Sequence, residues 1–87
     1  MTATIRPAVN NNGTSRVDLV DQRRAIIDAC DALVGALRAA TPNGRDYPGE
    51  TERLHADRET HYVRIKIVQD LREAVFAEAL SIQQGSN

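Results

Sequence analysis

Cysteine is almost missing from this chain of 87 residues: Cys30 stands alone, so neither an intrachain disulfide nor a cysteine-based zinc site can form. Aromatic residues are nearly as scarce. Tyr47, Tyr62 and Phe76 are the full set, with no Trp, so the chain lacks the large side chains that usually dominate a small core. A chain of this size buries only about 60% of its unfolded surface, and association with further copies is the expected way to complete the core. Lysine is reduced to Lys66 beside ten arginines, and neither sign of charge is in excess, with eleven basic and twelve acidic residues interspersed and a net charge of −1. That balance excludes a nonspecific nucleic-acid binder, which needs a basic stripe to neutralise phosphates. The only adjacent basic pair, Arg23-Arg24, is flanked by Asp21 and Asp28, so a DNA-reading helix is not expected. No apolar run approaches the roughly 18 residues of a membrane span, and the start of the chain has no apolar stretch resembling a secretion signal, so the expected location is the cytoplasm. Walker and GxGxxG patterns are also missing.

What is there reads as two helices. Residues 1–14, rich in Asn and Thr and broken by Pro7 and Gly13, are expected to form an irregular arm whose Ile5, Ala8 and Val9 could dock in extended form. Ser15 offers an N-cap, with Asp18 three residues on. From 16 to about 40 apolar pairs recur every seven residues, Leu19/Val20, Ile26/Ile27 and Leu33/Val34, with Cys30 and Leu37 between them. This stripe is wider than a two-stranded seam needs. Thr41-Pro42-Asn43-Gly44 ends the helix, and Asn43-Gly44 is expected to supply positive φ. Pro48-Gly49 is a second stop. A second helix is expected over about 50–83, with Gly85 as its end signal; its C-terminal half is strongly apolar from Ile65 to Ile82. The fold class is therefore all-α: an antiparallel two-helix hairpin over 15–84, with an irregular N-terminal arm, assembled into a homo-oligomeric bundle. With the fold placed near Arg45, the longer second helix should overhang the start of the first, leaving Phe76, Leu80 and Ile82 uncovered.

Conventional catalytic groups are lacking. Cys30 lies on the apolar stripe and reads as core. His55 and His61 are six residues apart on one helix and so face different ways; Asp57 and His61 have i, i+4 spacing, but no third metal ligand accompanies them. No enzyme activity, cofactor or metal is expected. Two polar segments carry the candidate chemistry. Thr14, Ser15 and Arg16 lead into a helix N-terminus, where unpaired N–H groups favour an anion. Asn43, Arg45, Asp46 and Tyr47 place an amide, a guanidinium, a carboxylate and a ring side by side, with Arg53 and Arg58 nearby on the second helix. Arginine would neutralise phosphate, Tyr47 would stack on a base, and Asn43 and Asp46 would read polar edges. The plain alternative is an N-cap at one end and a helix-hairpin turn tied by its Arg–Asp pair at the other. Within one hairpin the two segments lie a helix length apart, so only head-to-tail packing of copies would join them.

The residues Asn12-Gly13-Thr14-Ser15-Arg16 and Pro42-Asn43-Gly44-Arg45-Asp46-Tyr47, on either side of an amphipathic helix, resemble paired motifs of a group of small proteins encoded in bacteriophage and prophage genomes. The resemblance covers Asn11 to Ile82; those proteins commonly carry a second aromatic where this chain has Pro48. In size and hairpin plan the chain is also similar to the phage sponge proteins that defeat CBASS and Thoeris immunity, helical hairpins that assemble and hold cyclic nucleotides or ADP-ribose-derived signals between protomers. These likenesses imply a phage-encoded, non-enzymatic protein in the host cell cytoplasm. Its expected partners are its own copies and a phosphate-bearing nucleotide immune signal of the cyclic-nucleotide or ADP-ribose type, sequestered at protomer interfaces to counter host defence. No membrane or nucleic-acid partner is expected. The alternative is a protein–protein interaction module, inhibiting a host defence protein or assisting virion assembly.

Overall fold

The computed structural model of the chain describes residues 4–9 and 13–85, so Asn10, Asn11 and Asn12 of the polar lead-in lie outside the described residues. Among those described there are two α-helices, α1 (Arg16–Ala39) and α2 (Thr51–Gln84), one 3₁₀ turn at Gly44–Asp46, and no strand. α1 and α2 pack antiparallel into a hairpin 63 Å long and 21 × 16 Å in section. All the tertiary structure of the helical part is thus a single seam.

Local chemistry sets each helix end. The Asp18 backbone N–H donates to Ser15 Oγ at 3.1 Å, closing the N-cap; such a cap stabilises by about 1 kcal/mol. At the other end of α1 the Thr41 hydroxyl donates to the Arg38 carbonyl at 2.7 Å, and Pro42 prevents continuation. The positive φ is not at Gly44 as expected, because Asn43 stays extended (φ −112°) and its side-chain oxygen accepts from the Arg45 N–H at 3.0 Å, starting the 3₁₀ turn. Gly49 adopts it instead, at φ 74°. The Glu50 N–H donates to the Tyr47 carbonyl at 3.1 Å around Pro48 and Gly49, the pattern of a type II turn. Gly85 ends α2 in the left-handed region at φ 76°.

The seam is short of apolar material. Leu19, Ile27 and Cys30 of α1 meet Ile65, Val75 and Ile82 of α2, and these are the only buried apolar residues among those described. Three polar residues share the seam. Arg23 Nε lies 3.8 Å from Glu78 Oε1 and its Nη1 donates to Gln22 and to the Leu19 carbonyl, while His61 Nε2 donates to the Leu37 carbonyl at 2.5 Å, which places the ring proton on that nitrogen. Burial removes Arg23 from any basic patch with the exposed Arg24.

The expected overhang at the end of α2 is corrected. A Cβ on Gly85 would stand 3.3 Å from Arg16 Nη2, so the last turn of α2 is level with the first turn of α1. The surplus length of α2 lies at its N-terminal end, because residues 40–50 run back beside it instead of turning sharply at Arg45. There Arg58 Nε donates to the Pro42 carbonyl at 2.9 Å, and the Tyr47 hydroxyl donates to Asp57 Oδ2 at 2.5 Å. Ile82 is accordingly 2% exposed and not uncovered; Phe76 and Leu80 do stay exposed. In the arm, Pro7 and Val9 are half-buried and Ile5 is exposed.

Candidate functional site

The nine candidate residues fall at the two ends of the hairpin, separated by α1, which at 1.5 Å per residue is about 36 Å long. Thr14, Ser15 and Arg16 are exposed at one end. The helix N-terminus there already has internal anionic and acceptor partners. Ser15 Oγ takes one of its N–H groups, and the Asp18 carboxylate sits in its first turn. Arg16 leans on the C-terminus of α2, where a cation complements the carbonyl end of the helix dipole.

The other six, Asn43, Arg45, Asp46, Tyr47, Arg53 and Arg58, are brought together at the loop end. Three of them are structural. Asn43 caps the 3₁₀ turn, Arg58 binds the Pro42 carbonyl, and Tyr47 is held half-buried by Asp57. This turn is tied by those bonds and not by an Arg45–Asp46 pair. Arg53 makes an exposed contact of 3.6 Å with Glu50, worth little at such exposure. Arg45 and Asp46 are exposed, and among the described residues no salt bridge engages either.

Beside this turn lies an open cavity of about 300 Å³ lined by Ala40, Pro42, Tyr47, Asp57, Thr60, His61 and Arg64. Asp57 and His61 line it from the i, i+4 positions noted in the sequence, but the carboxylate receives Tyr47 and the imidazole binds a carbonyl. No group of three or more His, Cys, Asp or Glu that could hold a metal occurs among the described residues, and none of their helices is long and apolar enough to cross a membrane.

The Tyr47 phenol is shifted above its ordinary 10.0, first because its proton is held by the Asp57 carboxylate. A raised pKa in the folded state means that this bond contributes fully below pH 10.0 and is lost as the pH climbs through the Tyr47 value. In a Tyr62→Phe chain, whose only phenol is Tyr47, the phenolate absorbance is expected to rise with a midpoint above 10.0, and Asp57→Asn should return it towards 10.0. An unchanged midpoint on that second substitution would mean that the bond is not made in solution.

The flanks of the seam are a second candidate surface, which the width of the α1 stripe announces without separating it into two sides. α1 alternates along one flank between apolar and charged residues: Val20, Arg24, Ile27, Asp31, Val34 and Arg38. Facing them on α2 are Tyr62, Lys66, Gln69, Glu73, Phe76 and Leu80. Arg72 bridges the two helices here, with both oxygens of Asp31 at 2.6 and 3.3 Å and the Phe76 ring 6.0 Å from its guanidinium carbon. The opposite flank of α1 carries Gln22, Ile26, Ala29, Leu33, Ala36 and Ala40, without a charge. The seven-residue pairing of Ile26/Ile27 and Leu33/Val34 was the signal for both flanks, because one member of each pair turns to either side of the seam. No protein-family model matches the chain, and no curated protein or solved structure matches it.

Proposed function

We propose that this hairpin is a non-enzymatic assembly protein that works as a homo-oligomer and engages other helices through its apolar flanks. One observation carries the reading. Among the described residues ten large apolar side chains are exposed, Ile26, Leu33, Ile67, Leu71, Phe76 and Leu80 among them, against six apolar residues buried. Exposed apolar side chains gathered in rows along a helix mark an interaction site, and a single seam between two helices offers no third layer to cover them. The decisive measurement is the mass of the native particle by sedimentation. A multiple of the 9.6 kDa chain is expected, and a monomer at about 100 μM, a concentration at which even micromolar association saturates, would sink the proposal.

A narrower reading of the same assembly is sequestration of a phosphate-bearing nucleotide signal between copies, which in a host cell would blunt a defence response. It is favoured by the unengaged Arg45 and Asp46 at the loop tip, beside Arg53, and requires a second copy to bring Thr14 and Arg16 to them. Calorimetry with cyclic oligonucleotides and ADP-ribose derivatives tests it separately, with heat lost on Arg45→Ala as the expected result. An assembled particle that takes up none of these ligands would leave the protein–protein reading alone.

A further inference from the structure

We infer that the uncharged flank is the site of a second copy of this chain, docked about a two-fold axis that crosses the hairpin at Ala29 and Leu71 to give an antiparallel four-helix bundle. The inference rests on the assembly reading above and specifies its surface. On α1 the row Gln22, Ile26, Ala29, Leu33, Ala36 and Ala40 repeats at alternating steps of four and three, the spacing of a second helix-packing seam beside the first. On α2 the matching row between Arg64 and Glu78 is Ile67, Leu71 and Ala74. Its large members stand well clear of the intrachain seam, with Ile26, Leu33, Ile67 and Leu71 at 43, 49, 62 and 42% exposure. No charge interrupts either row, whereas the opposite flank carries Arg24, Asp31, Arg38, Lys66, Arg72 and Glu73. Burying the charged flank would cover Tyr62, Phe76 and Leu80 but desolvate the ions interleaved with them; burying the uncharged one covers comparable apolar surface and desolvates almost nothing polar.

The surface is complementary to itself, which points to a copy of this chain as the occupant. The Arg23–Glu78 and Asp31–Arg72 contacts set the level of one helix against the other and place Ala29 within a turn of Leu71. A two-fold axis at that level reverses both rows at once. It sets Ile26 against Leu33 of the other copy, Ile67 against Ala74, Leu71 against its own mate, and Ala29 against its own mate where two backbones must approach closely. It also carries the Arg64 end of each row to the Glu78 end of the other. Each protomer thus presents the same patch, as a closed dimer requires. The stretch from Gln22 to Ala40 is about 27 Å long at 1.5 Å per residue. Across the 21 Å width of the hairpin it covers a footprint of several hundred Å², of the order of the ~800 Å² per partner in a standard interface.

Sedimentation of the full chain and of two paired variants tests this. Leu33→Glu with Ile67→Glu is expected to raise the dissociation constant about 100-fold or more, two buried carboxylates being ample for that. The helical circular dichroism should remain, because both positions are already exposed in the single hairpin. Phe76→Glu with Leu80→Glu, equally exposed on the charged flank, is expected to leave the particle intact. A separate readout uses Ala29→Cys in a Cys30→Ala chain, where mild oxidation should link two copies through residue 29, while Lys66→Cys in the same background should not link. A wild-type monomer would overturn the assembly reading and this inference with it. A particle that survives the Leu33/Ile67 pair, or that cross-links at position 66 and not at 29, would overturn the inference and leave the assembly reading standing.

Discussion

Arg23→Ala is expected to lower the unfolding free energy of the hairpin by about 3 kcal/mol, the cost of leaving a buried carboxylate without its cation. Arg23 and Glu78 face each other at 3.8 Å inside a seam that holds only six buried apolar residues among those described, where no other cation forms a salt bridge with Glu78. Removing the guanidinium also removes the bonds to Gln22 and to the Leu19 carbonyl. Replacing both partners is a different experiment. Arg23→Leu with Glu78→Leu removes the two desolvated charges together and adds apolar contact at the same level, so its stability is expected to fall within about 1 kcal/mol of wild type or above it. Urea unfolding of the three chains at one protein concentration decides the matter. A single variant as stable as wild type would mean that water reaches Glu78. A double variant as weak as the single one would mean that the pair contributes net energy and not only specificity. In a seam built from four-and-three steps, a polar pair at one level has a further effect: sliding the helices by one heptad would separate Arg23 from Glu78, so the pair selects the register that also brings Gly85 to Arg16.

Much of this architecture is written in short-range signals. Pro42, Pro48-Gly49 and Gly85 act through their own backbone and Ser15 through a side-chain bond three residues away, and helix ends set by them were readable to within a residue or two. The readings that failed depended on longer-range geometry. Asn43-Gly44 looks like a positive-φ turn in isolation, but the Asn43 side chain finds the Arg45 N–H, and Pro48-Gly49 makes the reversal a few residues later. Treating the connection as a point near Arg45 put the surplus of α2 at the wrong end, since nothing local says that residues 40–50 will lie along α2 and bond to Asp57 and Arg58. The buried polar residues Arg23, His61 and Glu78 were likewise invisible, because each is tolerated only by virtue of a partner on the other helix or in the preceding turn. At the candidate site, residue types suggested ligand chemistry that Tyr47, Arg58 and Asn43 spend on the fold itself. The apolar doublets of α1, by contrast, announced more surface than one seam can take, and the exposure of Ile26 and Leu33 follows from that pattern.

Ile82→Ala is expected to destabilise the chain by about 3 kcal/mol, within the 2–5 kcal/mol range for truncating a buried aliphatic side chain, and to do so far more than Phe76→Ala. Ranked by size alone the order would be reversed, since Phe76 is the largest apolar side chain of the last turns. Ile82 is 2% exposed, the most completely covered large residue described, whereas Phe76 is 46% exposed on the charged flank with only the Arg72 guanidinium 6.0 Å from its ring. An exposed cation–π contact is worth about 0.5–1 kcal/mol, so the loss on Phe76→Ala should stay near that value. Ile82 is covered where the two helices reach the same level. α1 reaches this level only with its first turn, at Arg16, and the arm, whose Pro7 and Val9 are half-buried, belongs to the same end of the hairpin. Denaturation of wild type, Ile82→Ala and Phe76→Ala at one fixed concentration gives these differences directly. A Phe76→Ala chain weaker than Ile82→Ala would show that the charged flank is covered in solution, which would also place the second copy there and remove it from the Ala29–Leu71 flank.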